Sequence, residues 1–192
     1  MTLIEILIVV ALIAIMSGFA ISNLSGYFKV SLDSATRGIA NKIRETYNST
    51  VVTGLVHRMA YDLENAQYWV EVGSSAILLD TSETRKKESE RRSLFFDKKK
   101  KKNPFKLAED VTPKKADLPQ GVVFEDIITD IGPEPLTQGV VYTHFFPQGA
   151  AERTIIHLKN REDRKYTLVI SSIGGRTKLY PRKVGLDETE KD

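Results

Sequence analysis

The sequence predicts an α+β protein, with a long N-terminal helix packed on an antiparallel β-sandwich. Three observations carry this. Residues 1–21 are apolar apart from a few small polar residues and one acid, Glu5. Beyond them, apolar residues recur at steps of three and four up to a glycine at position 54. From there to about residue 180, short runs with two-residue alternation are separated by turn-forming residues.

The helix comes first. At about 1.5 Å rise per residue, twenty-odd apolar residues span about 30 Å, the hydrocarbon thickness of a bilayer. Residues 1–25 are therefore read as a transmembrane half. An acid at the middle of such a helix costs about 2.5–3.5 kcal/mol, so Glu5 needs a reason. A secretory signal peptide fits poorly: no Lys or Arg precedes Lys29, and the apolar run is too long. A plain anchor has no use for Glu5. Residues 26–54 read as an amphipathic half. Phe28, Leu32, Ala35, Ile39, Ile43 and Tyr47 form one stripe for packing, and Gly54 is the stop. Ser17 and Gly18 are weak helix formers that soften the rod without ending it.

A β-rich domain is expected over 55–180. Residues 57–63 alternate, with Met59, Tyr61 and Leu63 on one side. Residues 67–72 return with Tyr68, Val70 and Val72 on a shared face, giving a hairpin around Glu64-Asn65-Ala66. A short strand over 76–79 is expected next. Later strands are read at 121–128, 140–146, 153–159, 165–171 and 177–180, with Gly132-Pro133-Glu134-Pro135 as a break. Residues 181–192 read as a frayed polar tail.

Residues 81–119 differ in character. They hold thirteen Lys/Arg against seven Asp/Glu and three prolines, including Lys98, Lys99, Lys100, Lys101 and Lys102. The stretch is predicted to be a long, exposed, mobile loop. Its lysines are candidates for docking an acidic partner or anionic headgroups. A net charge of +3 over 192 residues gives no general nucleic-acid signature, and no nucleic-acid partner is expected.

Met1-Thr2-Leu3-Ile4-Glu5-Ile6-Leu7 resembles the mature N-terminus of type IV pilins and type II secretion pseudopilins. Thr2, Leu3, Ile4 and Glu5 match position by position, whereas Met1 stands where the family usually has Phe. The hairpin His57-Arg58 … Asp62-Leu63 … Tyr68-Trp69-Val70-Glu71, then Phe146-Pro147-Gln148-Gly149 and Ile173-Gly174-Gly175-Arg176, is similar to the H-type minor pseudopilins and their minor-pilin relatives, the GspH/FimT family. This resemblance covers most of the chain except the basic stretch.

It implies an inner-membrane protein with a single span and a periplasmic C-terminal domain. A prepilin peptidase would remove a basic leader and methylate the new N-terminus at Met1. That leader also reconciles the topology with Lys29, Arg37, Lys42 and Arg44, which lie after the span. The implied partners are other minor and major pseudopilins or pilins, the inner-membrane assembly platform and the lipid bilayer. The implied role is a structural subunit at or near the tip of a periplasmic pseudopilus, helping prime assembly and secretion. In the family the fifth-position acid pairs with a neighbour's N-terminal amine, so Thr2, Leu3, Ile4 and Glu5 are the assembly residues. The competing reading of Glu5 is an acid snorkelling to the headgroups.

Three further readings stay open: a minor pilin of a type IV pilus, a membrane-anchored periplasmic enzyme, and a binding domain that uses the lysine run. The enzyme reading has no motif behind it. His57, His144 and His157 fall on predicted strands, without metal-ligand spacing, and are expected at surfaces or edges. Asp62 and Glu71 are expected to be solvated. No GxSxG, phosphate loop or EF-hand spacing occurs. The absence of cysteine excludes disulfides and Cys-ligated zinc. No catalytic residue, metal or cofactor is assigned.

Overall fold

The computed structural model describes residues 2–73, 104–130 and 132–189, and within them the side chains other than those of residues 16–30, 133, 187 and 189. Met1, the strand expected at 76–79, the Phe28 side chain and the lysine run at 98–102 lie outside the described residues.

One unbroken helix, α1 (Leu3–Thr53), fills 51 residues, a rod of about 77 Å. Gly54 ends it in the left-handed region, at φ 68°, and its N–H bonds to the Thr50 carbonyl at 3.0 Å. Leu32, Ile39 and Ile43 are fully buried, Ala35 is nearly so, and Tyr47 is half-buried against the same core. Thr36, Thr46 and Thr50 are also completely buried. Each hydroxyl bonds to the carbonyl four residues back, at 2.7–2.8 Å, so a polar residue enters the core with its hydrogen spoken for. The buried face is wider than the apolar stripe alone for this reason.

Among the described residues ten strands follow: β1 (Val56–Asp62), β2 (Gln67–Gly73), β3 (Phe105–Leu107), β4 (Ala116–Asp117), β5 (Val122–Thr129), β6 (Gly132–Leu136), β7 (Val140–Phe145), β8 (Thr154–Asn160), β9 (Lys165–Ile170) and β10 (Thr177–Tyr180), then a short helix α2 (Leu186–Thr189). They make two antiparallel sheets. The first runs β3-β2-β1-β7 with β4 also on β2; the second runs β10-β9-β8-β5-β6. Both sheets and the second half of α1 meet in one core that includes Leu32, Ile39, Met59, Tyr61, Phe124, Phe145, Ile156 and Leu168. Tyr61 meets Phe124 edge-on at 5.8 Å between ring centroids.

The β1–β2 hairpin has the predicted faces. Met59 pairs with Val70, and Tyr61 with Tyr68. Asp62 is not solvated: it is buried and accepts the Glu64 and Asn65 N–H groups, at 3.1 and 3.0 Å, and the Asn65 amide at 2.8 Å. Those bonds, led by the Asn65 side chain, hold its carboxyl below the ordinary range.

Three expectations are corrected. Part of the stretch read as loop is sheet: β3 pairs with β2, and Phe105, Ala108, Val111 and Leu118 are buried. The Gly132-Pro133-Glu134-Pro135 run is not a break but most of β6. It is an edge strand with partners only on β5, and an edge leaves proline's missing N–H facing away from the ladder. The tail does not fray from Pro181 onward. Val184 is buried, and Thr167 Oγ1 donates to the Arg182 carbonyl at 2.7 Å and accepts from the Val184 N–H at 3.0 Å.

Candidate assembly site

The first turn of α1 and its N-cap carry Thr2, Leu3, Ile4 and Glu5, the residues expected to direct assembly. Thr2 is the N-cap, with extended backbone, and its N–H points at Glu5 Oε2 across 3.4 Å. Glu5 thus reaches back over unsatisfied N–H groups at the positive end of the helix dipole, where a carboxylate is favoured. Among the described residues, no part of the β-domain covers this end. Leu3 is 82 % exposed and Ile4 68 %. The large apolar residues from Ile6 through Ile15 are all at least half-bare or nearly so. A row of bare apolar side chains longer than a dozen residues is an interaction surface by its extent alone. Among the described residues no helix is long and apolar enough to cross a membrane, and the described side chains of the apolar half end at Ile15.

The other end of the helix is locked. Tyr47 lies under two loops, 146–150 and 171–176, which are tied together where the Gly174 N–H meets the Gly149 carbonyl at 2.9 Å. A Cβ on Gly175 would stand 2.7 Å from Tyr47 Cδ2, and one on Gly149 3.3 Å from its hydroxyl. Both glycines have positive φ. Two glycine motifs far apart in sequence thus form one cradle for a helix side chain.

The outer face of the first sheet holds a network that sequence reasoning missed. Arg58 pairs with Glu71 at 2.6 Å, and its guanidinium lies between the rings of Phe105 and Tyr142, at 3.8 and 4.0 Å. Glu71 also accepts from Trp69 Nε1 at 2.8 Å, and Lys115 sits over the Trp69 ring at 4.0 Å. Glu71 is therefore paired, not solvated. The available signal was Arg58 facing Glu71 across the hairpin. The rings that complete the stack come from β3 and β7.

Two of the histidines depart from expectation, whereas His144 lies on the edge strand β7. His57 and His157 are each only 1 % exposed. His57 is held below its ordinary pKa by burial, and its ring joins Ser49 at the end of α1 to the Leu55 carbonyl. His144 bonds to Glu152 at 2.7 Å. His157 places Nδ1 on Asp126 at 2.5 Å and Nε2 on the Val184 carbonyl at 3.0 Å, so it latches the tail to the second sheet. Lys183 bonds to the second oxygen of Asp126 at 2.5 Å. Among the described residues no three metal-ligating groups converge.

This latch sets an acid sensitivity. Burial pushes the Asp126 carboxyl up, but the bonds from Lys183 and His157 outweigh it and leave it below its ordinary value. A carboxylate held low contributes stability that is complete above the unfolded pKa and is lost as pH falls through the folded one. Asp126→Asn is expected to lower the melting temperature at pH 7 by several degrees, and the gap is expected to narrow as pH falls below the ordinary aspartate range. Thermal melts from pH 2 to pH 7 read this. A gap that persists unchanged at pH 2 would rule out charge as its source.

No protein-family model and no curated protein matches this sequence. Among solved structures, the chain is similar in fold to the minor pseudopilin EpsH of the type II secretion system of Vibrio cholerae. For one crystal structure the TM-score is 0.52 at 9 % identity, over 82 % of this chain and 98 % of that one. For a second structure of EpsH it is 0.49 at 9 % identity, over 79 % and 97 %. The match at 0.52 shows a shared fold: a long helix entering two antiparallel sheets.

Proposed function

Proceeding from that shared fold, we propose that this chain is a minor pseudopilin of a type II secretion system, a structural subunit rather than an enzyme. The observation that carries the reading is the union of two features in one molecule. The fold is that of a minor pseudopilin, and its helix extends into a bare apolar segment whose first turn holds one carboxylate, Glu5. The apolar half sits in the inner membrane before assembly, and the β-domain lies in the periplasm. After assembly the same apolar surface packs against the helices of neighbouring subunits, by head-to-tail contacts that build a helical filament. Other pseudopilins, the inner-membrane platform and the prepilin peptidase are the partners, and the place is at or near the filament tip.

In this arrangement Glu5 lies beside the N-terminal amine of an adjacent subunit, and each charge offsets the other's burial. Peptide mass spectrometry of the protein from its native membranes tests the processing step. The expected N-terminal peptide begins at the residue before Thr2 and carries one N-methyl group. An unmethylated peptide, or one that retains upstream residues, would overturn the reading.

A further inference from the structure

A groove between the end of α1 and the loop joining β9 to β10 plays no part in the core, the latch or the assembly residues. Arg44, Tyr47 and Asn48 of α1 line one wall, and Gly174, Gly175 and Arg176 the other, around a volume of about 380 Å³. Arg44 and Asn48 are one helical turn apart, which puts them on the same side of the helix. Both arginines are exposed. Neither makes an ion pair or a side-chain hydrogen bond with any described residue, unlike the cations around the tail, where Lys165, Arg182 and Lys183 each face a carboxylate. Two arginines that line one groove, neither paired with a carboxylate among the described residues, form a site for anionic oxygen, and the fork of a guanidinium matches a carboxylate in two-point contact.

The rim tells which anion. Ile173, next in sequence to the Gly174 that lines the groove, is 83 % exposed, and Thr177 of β10 completes the lining. An apolar rim around two arginines suits carboxylate side chains carried on a polypeptide with an apolar residue beside them. It does not suit a free inorganic anion.

We propose that this groove is a docking site for an acidic segment of a partner protein, whose carboxylates are held between Arg44 and Arg176. The site stands on the groove alone and does not rest on the pseudopilin reading.

The test uses the full chain in detergent micelles and a fluorescein-labelled, capped hexapeptide of alternating Glu and Val, followed by anisotropy. The same peptide with Gln for Glu is the charge control, and unlabelled inorganic phosphate is the competitor. Arg44→Gln and Arg176→Gln are each expected to weaken the Glu peptide about tenfold or more. Arg182→Gln, which removes the same charge outside the groove, is expected to leave binding unchanged. Both groove arginines are exposed, so the melting temperatures of these variants should match the parent. The proposal falls if the Gln peptide binds as well as the Glu peptide, or if Arg182→Gln weakens binding as much as Arg44→Gln. It falls equally if phosphate at the peptide's own concentration displaces it.

Discussion

Glu5→Ala is expected to remove the chain from assembled filaments, with incorporation falling about a hundredfold or more, while the melting temperature of the β-domain stays where it was. The two readouts separate because, among the described residues, nothing in the β-domain covers the first turn of α1, where Leu3 and Ile4 are bare and the Glu5 carboxylate meets the Thr2 N–H. Within the isolated chain the carboxylate therefore supports only the helix start, worth about 0.5–2 kcal/mol of local capping. In the proposed filament of parallel helices it would meet an amine in an apolar environment. Breaking one member of a buried charge pair costs about 3–5 kcal/mol, because the other is left uncompensated. That cost converts to more than a hundredfold in an equilibrium. Glu5→Gln separates charge from shape: it keeps the reach to Thr2 and loses the charge, so it should fail as Glu5→Ala does. Fractionation of sheared filaments against total membrane protein measures incorporation, and calorimetry measures the domain. Filaments that contain the Ala variant at parental levels would remove Glu5 from assembly. A fall in the domain's melting temperature would show an unseen structural role.

Gly175→Ala is expected to destabilise the domain strongly for so small a change, by about 2–5 kcal/mol. Two causes add. The backbone at Gly175 has φ 54°, which costs a side-chain-bearing residue about 1–2 kcal/mol. The added methyl would also stand 2.7 Å from Tyr47 Cδ2 and 3.1 Å from Cγ. That is the rigid root of a ring on a helix, and forced overpacking of this kind costs about 1–3 kcal/mol. Gly174 is the internal control. Its φ is 71°, but a methyl there meets nothing nearer than Arg176 Cγ at 3.9 Å, so Gly174→Ala should pay for the backbone alone. A double-mutant cycle with Tyr47→Ala isolates the clash. In that background the cost of Gly175→Ala should fall to about that of Gly174→Ala, as measured by urea unfolding. An unchanged cost with Tyr47 absent would refute the steric explanation.

These two sites differ in how they could be found. Glu5 was legible because a lone acid in an apolar helix is an electrostatic anomaly that needs no neighbour to define it. The Tyr47 cradle was not. Its glycines stood out as turn residues, but their target is a helix side chain about 100 residues earlier in the chain. The β1–β2 hairpin was legible because local alternation sets which residues share a face. What covers the second face was not, since Arg58 is capped by Phe105 and Tyr142 from distant strands. The same limit hid β3, whose three residues carry little strand signal and become a strand by pairing with β2. It also hid the burial of His157, whose ring nitrogens are admitted to the interior because Asp126 and the Val184 carbonyl, from other segments, meet them.

The sequence alone determined the elements whose causes are local. The 51-residue helix follows from uninterrupted apolar and then three-four spacing, with Gly54 ending it in a conformation glycine adopts freely. The hairpins follow from alternation and turn chemistry, and the exposed acid near the helix start follows from position. Tertiary structure decided everything that depends on a partner far along the chain. It chose which strands close each sheet and made an edge strand of a proline-rich run. It turned the polar tail into a latch through His157, and it brought Arg44 and Arg176 to one groove with no carboxylate partner among the described residues. The physical reason is that periodicity records which side of an element is apolar, whereas the neutralisation of a charge or the satisfaction of a buried polar atom depends on where the fold brings another segment.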